Sequence, residues 1–261
     1  MEKRYALITG ASGGIGKEIA EIFAAEGHDL ILAARRKEKL EELKAYLEKK
    51  YAVEVLVFPI DLSKKDAAEE LHEKTRGLAV DNLVNNAGFG DFKAFMDSEW
   101  SRQADMVQLN ITALMQMSYL YGRDMRKHGF GHILNLSSVA AFCAGPYMSV
   151  YYASKAYVLS FSQALSEELK GSGVTVTALC PGPTSTGFES AARMKGSKMF
   201  TALKTASPKD VALCGYKAMQ AGKPVACHSV NTKLMNIGSR LLSRKAARRF
   251  AMKINGRPVE E

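Results

Sequence analysis

Three tyrosines and one lysine lie close together in the segment YYASKAY, residues 151–157. Residues four apart share one face of a helix, so Tyr151 and Lys155 can converge, while Tyr152 is a geometric competitor and Tyr157 lies elsewhere. The pKa of a free tyrosine is about 10, too high for efficient acid–base work at neutral pH, and a nearby ammonium lowers it. Most tyrosines on helices are core or interface residues, so this segment alone favours packing over catalysis.

A second candidate is the glycine-rich segment TGASGGIG, residues 9–16, between the first apolar run and a helical pattern. Its glycines allow a tight turn and a close approach of the backbone to a pyrophosphate at a helix N-terminus. Glycine-rich turns also occur merely to reverse the chain, but the strand–loop–helix context favours a dinucleotide site. The predicted contacts in this loop are Gly10, Ser12, Gly14, Ile15 and Gly16.

Arg35 and Arg36 follow the second apolar run, where an NAD site normally places an acidic residue. Asp29 is acidic, but it begins that run and so lies at the wrong end. Guanidinium groups suit a 2′-phosphate. Two cations at a helix start also oppose the helix dipole, so a bound phosphate explains them better than solvation does. The sequence therefore predicts NADP(H) as the cofactor.

The elements that must position these residues alternate along the chain. Short, nearly continuous apolar runs are separated by longer helical patterns, which predicts a parallel sheet covered on both faces. This is an α/β fold with a doubly wound, Rossmann-type sheet, whose ligands bind beyond the carboxyl ends of the strands. The strand segments are 4–10, 29–35, 53–61, 81–88, 131–138 and 174–182, and the helical ones are 14–27, 37–51, 64–76, 99–128, 149–165 and 208–221.

Length and composition fit one globular domain. The chain has 261 residues, of which 47% are hydrophobic and 24% charged. We expect a catalytic domain at 1–230, a mobile lid at about 183–205 and a basic amphipathic tail at 231–261. No apolar run approaches the roughly 18 residues of a membrane span, and no signal-peptide pattern opens the chain. The four cysteines lack metal-ligand spacing, so we expect no metal site and a cytoplasmic location.

Seven short motifs together give the chain a recognisable pattern. Over residues 4–225 the sequence resembles the short-chain dehydrogenase/reductase family, and its C-terminal part is similar to the branch with DltE-like, long-chain 3-oxoacyl and hydroxysteroid reductases. Each motif is weak alone, but the ordered set is specific. The motifs are TGASGGIG (9–16), DL (61–62), NNAG (85–88), Asn110, Ser138, YYASK (151–155) and PGPTST (181–186).

The resemblance implies an enzyme that interconverts a carbonyl and an alcohol by hydride transfer. Tyr151 would donate the proton to the substrate oxygen, or accept it in the reverse direction, and Ser138 would polarise that oxygen. Lys155 would bind the nicotinamide ribose and lower the phenol pKa. Asn110 would hold a water that links Lys155 to solvent. Tyr152 is then a packing residue.

The resemblance also implies further cofactor contacts. Asp61 and Leu62 would lie by the adenine, and Asn85 would brace the sheet. Asn86, Ala87 and Gly88 would line the adenosine ribose region. Pro181, Gly182 and Thr184 would contact the nicotinamide.

The predicted substrate side is apolar, which favours a medium or large carbonyl compound (a 3-oxoacyl thioester, a steroid or lipid ketone, or an aromatic ketone) over a sugar. Three basic residues of the lid segment could meet an anionic group, but a solvated lid surface is the favoured interpretation. The apolar candidates are Phe142, Cys143, Tyr147, Met148, Phe188, Met194, Met199 and Phe200, and the basic ones are Arg193, Lys195 and Lys198.

Basic residues are concentrated near the C-terminus, with ten Lys and Arg and no Asp or Glu from Val211 to Val259. Apolar residues recur among them every three or four positions, as Leu234, Ile237 and Leu241 do. A basic amphipathic helix can bind an anionic membrane. The stripe is narrow, however, which favours packing on the domain or on a sister subunit. Nucleic acid is not expected.

The C-terminal sequence departs from the pattern that is commonest in the family. We expect a homo-oligomer, which could be a dimer or a tetramer. A second function hypothesis is a non-catalytic dinucleotide-binding sensor or membrane-surface adaptor on the same fold. The complete set of catalytic motifs argues against it, and the basic tail is the feature in its favour.

Overall fold

The computed structural model describes residues 3–194, 197 and 205–258. Most of the second half of the predicted lid therefore lies outside the described residues, including Lys195, Lys198, Met199 and Phe200. The first half contains one short helix. The expectation of a mobile lid stays a prediction.

The described residues form one parallel sheet of seven strands in the order β3-β2-β1-β4-β5-β6-β7. The strand order reverses between β1 and β4, and this switch point is where such sheets bind ligands. The doubly wound parallel sheet predicted from the sequence is confirmed. The strands are β1 (Arg4–Thr9), β2 (Asp29–Ala34), β3 (Val55–Pro59), β4 (Ala79–Asn85), β5 (Gly131–Leu136), β6 (Val174–Leu179) and β7 (Val225–Ala226).

Helices cover both faces of the sheet. In the central strand, Ala6 and Ile8 belong to the core on one face, and Tyr5 and Leu7 belong to the core on the other. Because both faces are covered, residues 5–8 of this strand are all apolar rather than alternating with polar ones. The helices are α1 (Gly14–Ala25), α2 (Lys37–Tyr51), α3 (Ala67–Lys74), α4 (Trp100–Val107), α5 (Leu114–His128), α6 (Ser149–Glu168), α7 (Phe188–Ala191), α8 (Pro208–Gln220), α9 (Val230–Leu241) and α10 (Arg244–Asn255).

The long helix predicted at 99–128 is present but not regular. A π-helical turn, Gln108–Ala113, joins α4 to α5. Such single wide turns inside α-helices are rare and occur frequently at functional sites. Asn110 lies in this turn and is almost fully buried.

The C-terminal tail forms two helices where the sequence suggests one amphipathic stretch. Ser229 caps α9 and Ser243 caps α10, each through its side chain. Leu234, Ile237 and Leu241 of the apolar stripe do not pack on the domain, since they are 60%, 57% and 82% exposed, and packing on a sister subunit stays a prediction. Periodicity identifies an apolar face but does not say what covers it.

The tail is nevertheless attached to the domain through α10. Asn255 is fully buried: its Oδ1 accepts a hydrogen bond from the Tyr152 hydroxyl (2.8 Å), and its Nδ2 donates one to the Pro146 carbonyl (2.9 Å). The predicted boundary at residue 230, between the catalytic domain and the tail, stays a prediction. The contacts of Asn255 show that the end of the tail packs on the preceding part of the chain. None of the helices in the described part of the chain is both long and apolar enough to cross a bilayer.

Candidate active site

A cleft of about 510 Å³ opens at the carboxyl ends of the central strands. It contains residues from the glycine-rich loop, from the ends of β2, β4, β5 and β6, and from α6 and α7. Most of the predicted site residues therefore meet in one place. The predicted residues on its wall are Gly10, Ser12, Gly14, Ile15, Arg35, Arg36, Asp61, Leu62, Asn86, Ala87, Gly88, Ser138, Tyr151, Lys155, Pro181, Gly182 and Thr184.

The start of α6 brings the predicted acid–base group to the centre of this wall. The Lys155 Nζ lies 5.7 Å from the centroid of the Tyr151 ring, as the spacing of four residues predicts. Ser138 lies on the same cleft wall, and its hydroxyl accepts a hydrogen bond from the Ala140 N–H at 3.1 Å. Lys155 is buried and donates a hydrogen bond to the Leu136 carbonyl at 2.7 Å, which fixes its ammonium at the end of β5.

The protein's own groups set the protonation of this pair. Burial raises the pKa of Tyr151 to about 12, although the neighbouring Ser138 hydroxyl acts to lower it. Burial lowers the pKa of Lys155 to about 8. In both cases desolvation disfavours the charged form. The expected lowering of the phenol pKa depends also on the charge of an oxidised nicotinamide, and it stays a prediction.

Asn110 lies behind the cleft wall rather than on it. Its Nδ2 donates to the Phe89 carbonyl (2.9 Å) and to Ser154 Oγ (3.1 Å), and its Oδ1 accepts from the Phe89 N–H (3.1 Å). A Cβ on Gly88 would lie 3.0 Å from Asn110 Oδ1 and 3.5 Å from Lys155 Nζ, so both side chains approach the same glycine. This proximity is compatible with the proposed water link, which stays a prediction.

The glycine-rich loop is shaped by close backbone contacts. Gly10 has φ +66°, and a Cβ there would lie 2.7 Å from Asn86 Nδ2, so glycine is required. The first N–H groups of a helix have no intrahelical partner, and the wall residues Gly14 and Ile15 begin α1. Gly16 does not line the cleft. A Cβ there would lie 2.6 Å from the Gly10 carbonyl oxygen, so glycine is required for packing at this position, and its contact with the cofactor stays a prediction.

Hydrogen bonds hold the NNAG segment against this loop. The Asn86 Nδ2 donates to the Thr9 carbonyl (2.9 Å), and Thr9 Oγ1 accepts the N–H groups of Asn86 and Ala87 (3.0 Å each). Asn85 braces the sheet below, because its Nδ2 donates to Asn135 Oδ1 (2.9 Å). The turn is thus part of the cleft wall and not an isolated chain reversal.

The end of β2 presents positive charge to the cleft. Arg35 and Arg36 are both exposed, and Arg36 donates through Nη2 to the Ser12 carbonyl at 3.0 Å. This places one guanidinium beside the glycine-rich loop. Asp61, the acidic residue on this part of the wall, accepts hydrogen bonds from the Ser63 N–H and hydroxyl instead (3.0 and 2.8 Å).

The part of the cleft beside Tyr151 contains apolar side chains, and the sequence predicts that a substrate binds there. Phe188 lies with its ring centroid 5.2 Å from that of Tyr151, and Met148 also lines the cleft. Phe92 and Tyr147 belong to the same apolar cluster. An apolar group attached to the reacting carbon would therefore contact aromatic and thioether surface.

Sequence reasoning missed some residues of the site. Thr186 packs against the glycine-rich loop, because a Cβ on Gly14 would lie 3.2 Å from the Cγ2 atom of Thr186. Phe89 and Leu109 also line the cleft. Phe89 directly follows NNAG and could have been found by extending that motif, whereas Leu109 carries no recognisable signal.

Comparisons with known proteins agree with this geometry. The family model for short chain dehydrogenases matches residues 4–196. The chain belongs to this family. It is also 36% identical to human 17-beta-hydroxysteroid dehydrogenase type 3 over 187 residues, which are 70% of this chain and 60% of that protein. The chain thus spans less than two thirds of that relative.

Two solved structures are similar over almost the whole chain. The short-chain dehydrogenase from Sphingobium yanoikuyae in complex with NADPH has 30% identity and a TM-score of 0.82, covering 99% of this chain and 98% of that one. The bulky-bulky ketone specific alcohol dehydrogenase from Comamonas testosteroni has 28% identity and a TM-score of 0.79, covering 92% and 93%. The family membership makes the chain an oxidoreductase.

The cleft fits a nicotinamide dinucleotide with a 2′-phosphate. The helix N-terminus behind the glycine-rich loop suits the pyrophosphate, because its free N–H groups and dipole favour anions. The nearby guanidinium groups of Arg35 and Arg36 suit an additional phosphate. Asn86, Ala87, Gly88 and their neighbours provide the wall between these two ends and Tyr151.

Proposed function

We propose that the protein interconverts a carbonyl and an alcohol with NADP(H), with Tyr151 as the acid–base residue. The cofactor is NADP(H), in accord with the paired arginines and with the NADPH complex of the Sphingobium neighbour. The observation that carries the proposal is the meeting of Ser138, Tyr151 and Lys155 on the wall of one cleft.

Bound NADPH would supply the hydride to the carbonyl carbon. The substrate oxygen would then accept a hydrogen bond from Ser138 and the proton from the Tyr151 hydroxyl. A phenol whose pKa burial raises is fully protonated at neutral pH, so it is ready to donate. Lys155 would hold the ribose hydroxyls and stabilise the phenolate left after proton transfer, because its ammonium lies 5.7 Å from the centroid of that ring.

We propose a medium or large apolar carbonyl compound as the substrate, such as a 3-oxoacyl thioester, a steroid or lipid ketone, or an aromatic ketone. The apolar contacts of Phe188 and Met148 beside Tyr151 support this class. The steroid enzyme and the bulky-ketone enzyme among the similar proteins support it as well. A cytoplasmic location and a homo-oligomer stay predictions.

The test is NADPH consumption by the purified protein over a carbonyl panel, from 3-oxoacyl thioesters through steroid and aromatic ketones to small dicarbonyls. We expect Tyr151→Phe to abolish most turnover while leaving NADPH affinity almost intact. Tyr157→Phe is the matched control, since it removes the same hydroxyl from the same helix and should keep normal turnover. Near-normal turnover of Tyr151→Phe would refute the assigned role. Tight NADPH binding without turnover on any substrate would favour the sensor hypothesis.

A further inference from the structure

The outer side of α9 and the corner that follows it form a continuous exposed segment, called here the C-terminal surface. It combines apolar side chains with basic ones and contains no acidic residue. Its apolar members are Val230, Leu234, Ile237, Leu241 and Leu242, and its basic members are Arg240, Arg244 and Lys245.

The apolar side of α9 faces outward. Val230, Leu234, Ile237 and Leu241 recur every three or four residues and so form one stripe, and they are between 57% and 82% exposed. Thr232 lies on the opposite side and is buried at 3% exposure. An ordinary surface helix has its apolar stripe toward the core. In α9 this arrangement is reversed.

The C-terminal surface is held in place by the domain. Asn255, at the end of α10, is hydrogen-bonded to Tyr152 and Pro146, and Ala251 is buried in the apolar cluster beside the cleft. At the other end, α9 packs against the Val139–Phe142 turn. The exposed stripe is therefore a fixed feature of a docked segment.

The positive charge of the C-terminal surface indicates what kind of partner would bind to it. From Val211 to Val259 the chain has ten Lys and Arg and no Asp or Glu. Pairing of α9 with α9 of a second copy would bring Lys233 and Arg240 of both copies to one seam with no local carboxylate to pair them. Like charges at such a seam are destabilising. An anionic surface meets the basic residues and the apolar ones at the same time.

We propose that the C-terminal surface docks on the headgroup region of an anionic phospholipid membrane. Leu234, Ile237 and Leu241 would insert at the boundary of the acyl chains. Arg240, Arg244 and Lys245 would lie at the lipid phosphates, beside the exposed Leu241–Leu242 corner. Because α9 contacts a turn next to the cleft, docking would bring the active site near the membrane surface.

The test is co-sedimentation of the full chain with phosphatidylcholine vesicles, with and without roughly one third phosphatidylglycerol. We expect binding to the anionic vesicles at least roughly ten-fold tighter than to neutral ones, and weakened by added salt. The substitution set R240Q/R244Q/K245Q should lower the partition coefficient roughly 10²-fold, at about five-fold per charge. The set L234S/I237S/L241S should lower it by at least a similar factor.

Matched controls separate the C-terminal surface from overall charge and stickiness. R76Q/K127Q/K170Q removes the same net charge at exposed positions elsewhere, and Met96→Ser removes an apolar side chain that is 90% exposed. Both should bind vesicles as the unaltered protein does. Unchanged NADPH affinity shows that every variant is folded.

Three results would overturn the proposal. The first is equal binding to neutral and anionic vesicles, or none to either. The second is equal loss in the charge control and in R240Q/R244Q/K245Q. The third is a change from dimer to monomer in L234S/I237S/L241S, by light scattering, without vesicle binding by the unaltered protein. That last result would assign the surface to a second copy of the chain.

Discussion

Replacing Asn255 by Ala tests the attachment of the tail to α6, the helix that contains Tyr151 and Tyr152. Asn255 accepts one hydrogen bond from the buried Tyr152 hydroxyl and donates one to the partly buried Pro146 carbonyl. An orphaned buried hydroxyl costs roughly 1–3 kcal/mol, and the second bond is worth about 1 kcal/mol. We therefore expect Asn255→Ala to lower the free energy of unfolding by about 2–4 kcal/mol, measured by urea denaturation followed by circular dichroism.

A double-mutant cycle isolates the bond itself. Tyr152→Phe removes the hydroxyl and orphans Asn255, so the two single changes each leave one buried group without its partner. In the double variant neither orphan exists, and we expect a coupling of about 1–2 kcal/mol. The control cycle pairs Asn255→Ala with Tyr121→Phe, whose hydroxyl is hydrogen-bonded to Thr75 instead. Additivity within about 0.5 kcal/mol in both cycles would refute the Asn255–Tyr152 bond.

Three further predictions concern the cofactor and a thiol. Replacing Arg35 and Arg36 together by Gln should weaken NADPH binding by roughly 10–100-fold with little effect on NADH, and equal losses would mean that the arginines do not bind a 2′-phosphate. The dissociation constant for NADPH, measured by fluorescence titration, should rise as the pH increases through about 8. Burial lowers the pKa of Lys155 to about this value, so its charge is present below pH 8 and lost above it. A dissociation constant that does not change across this range would contradict the role of Lys155. The neighbouring Cys180 thiol and the charge of Lys233 lower the pKa of Cys227, so iodoacetamide at neutral pH should alkylate Cys227 before the other cysteines, as peptide mass spectrometry can show. Slower alkylation than at the other thiols would contradict this.

The residues that the sequence could place are those whose partners are near in sequence or fixed by the sheet. Tyr151 and Lys155 converge because a helix puts residues four apart on one face. Gly10 and Ser138 follow apolar runs, and the carboxyl ends of parallel strands meet at one edge of the sheet. Their position in one cleft thus follows from the spacing of residues on a helix and from the common edge at which parallel strands end.

The features that the sequence did not predict depend on long-range contacts or on fine backbone geometry. Asn255 bonds to a tyrosine 103 positions earlier, and a lone Asn in a basic tail carries no signal of such a partner. The π-helical turn around Asn110 changes the hydrogen-bond spacing without changing the apolar pattern. Gly16 fits a ligand-binding motif but is required for packing against the Gly10 carbonyl.

The way in which the tail is attached to the domain explains why the apolar side chains of α9 can face solvent. Its attachment inside the domain includes a directional, polar contact, the Asn255–Tyr152 hydrogen bond, together with the buried side chain of Ala251. The larger apolar side chains of α9, such as Leu234 and Leu241, are therefore not needed to hold the tail in place. Exposing them to water gives no stabilisation to the folded monomer, since apolar burial is what stabilises. A fixed helix with this reversed pattern, among basic residues, is what a membrane-docking surface requires.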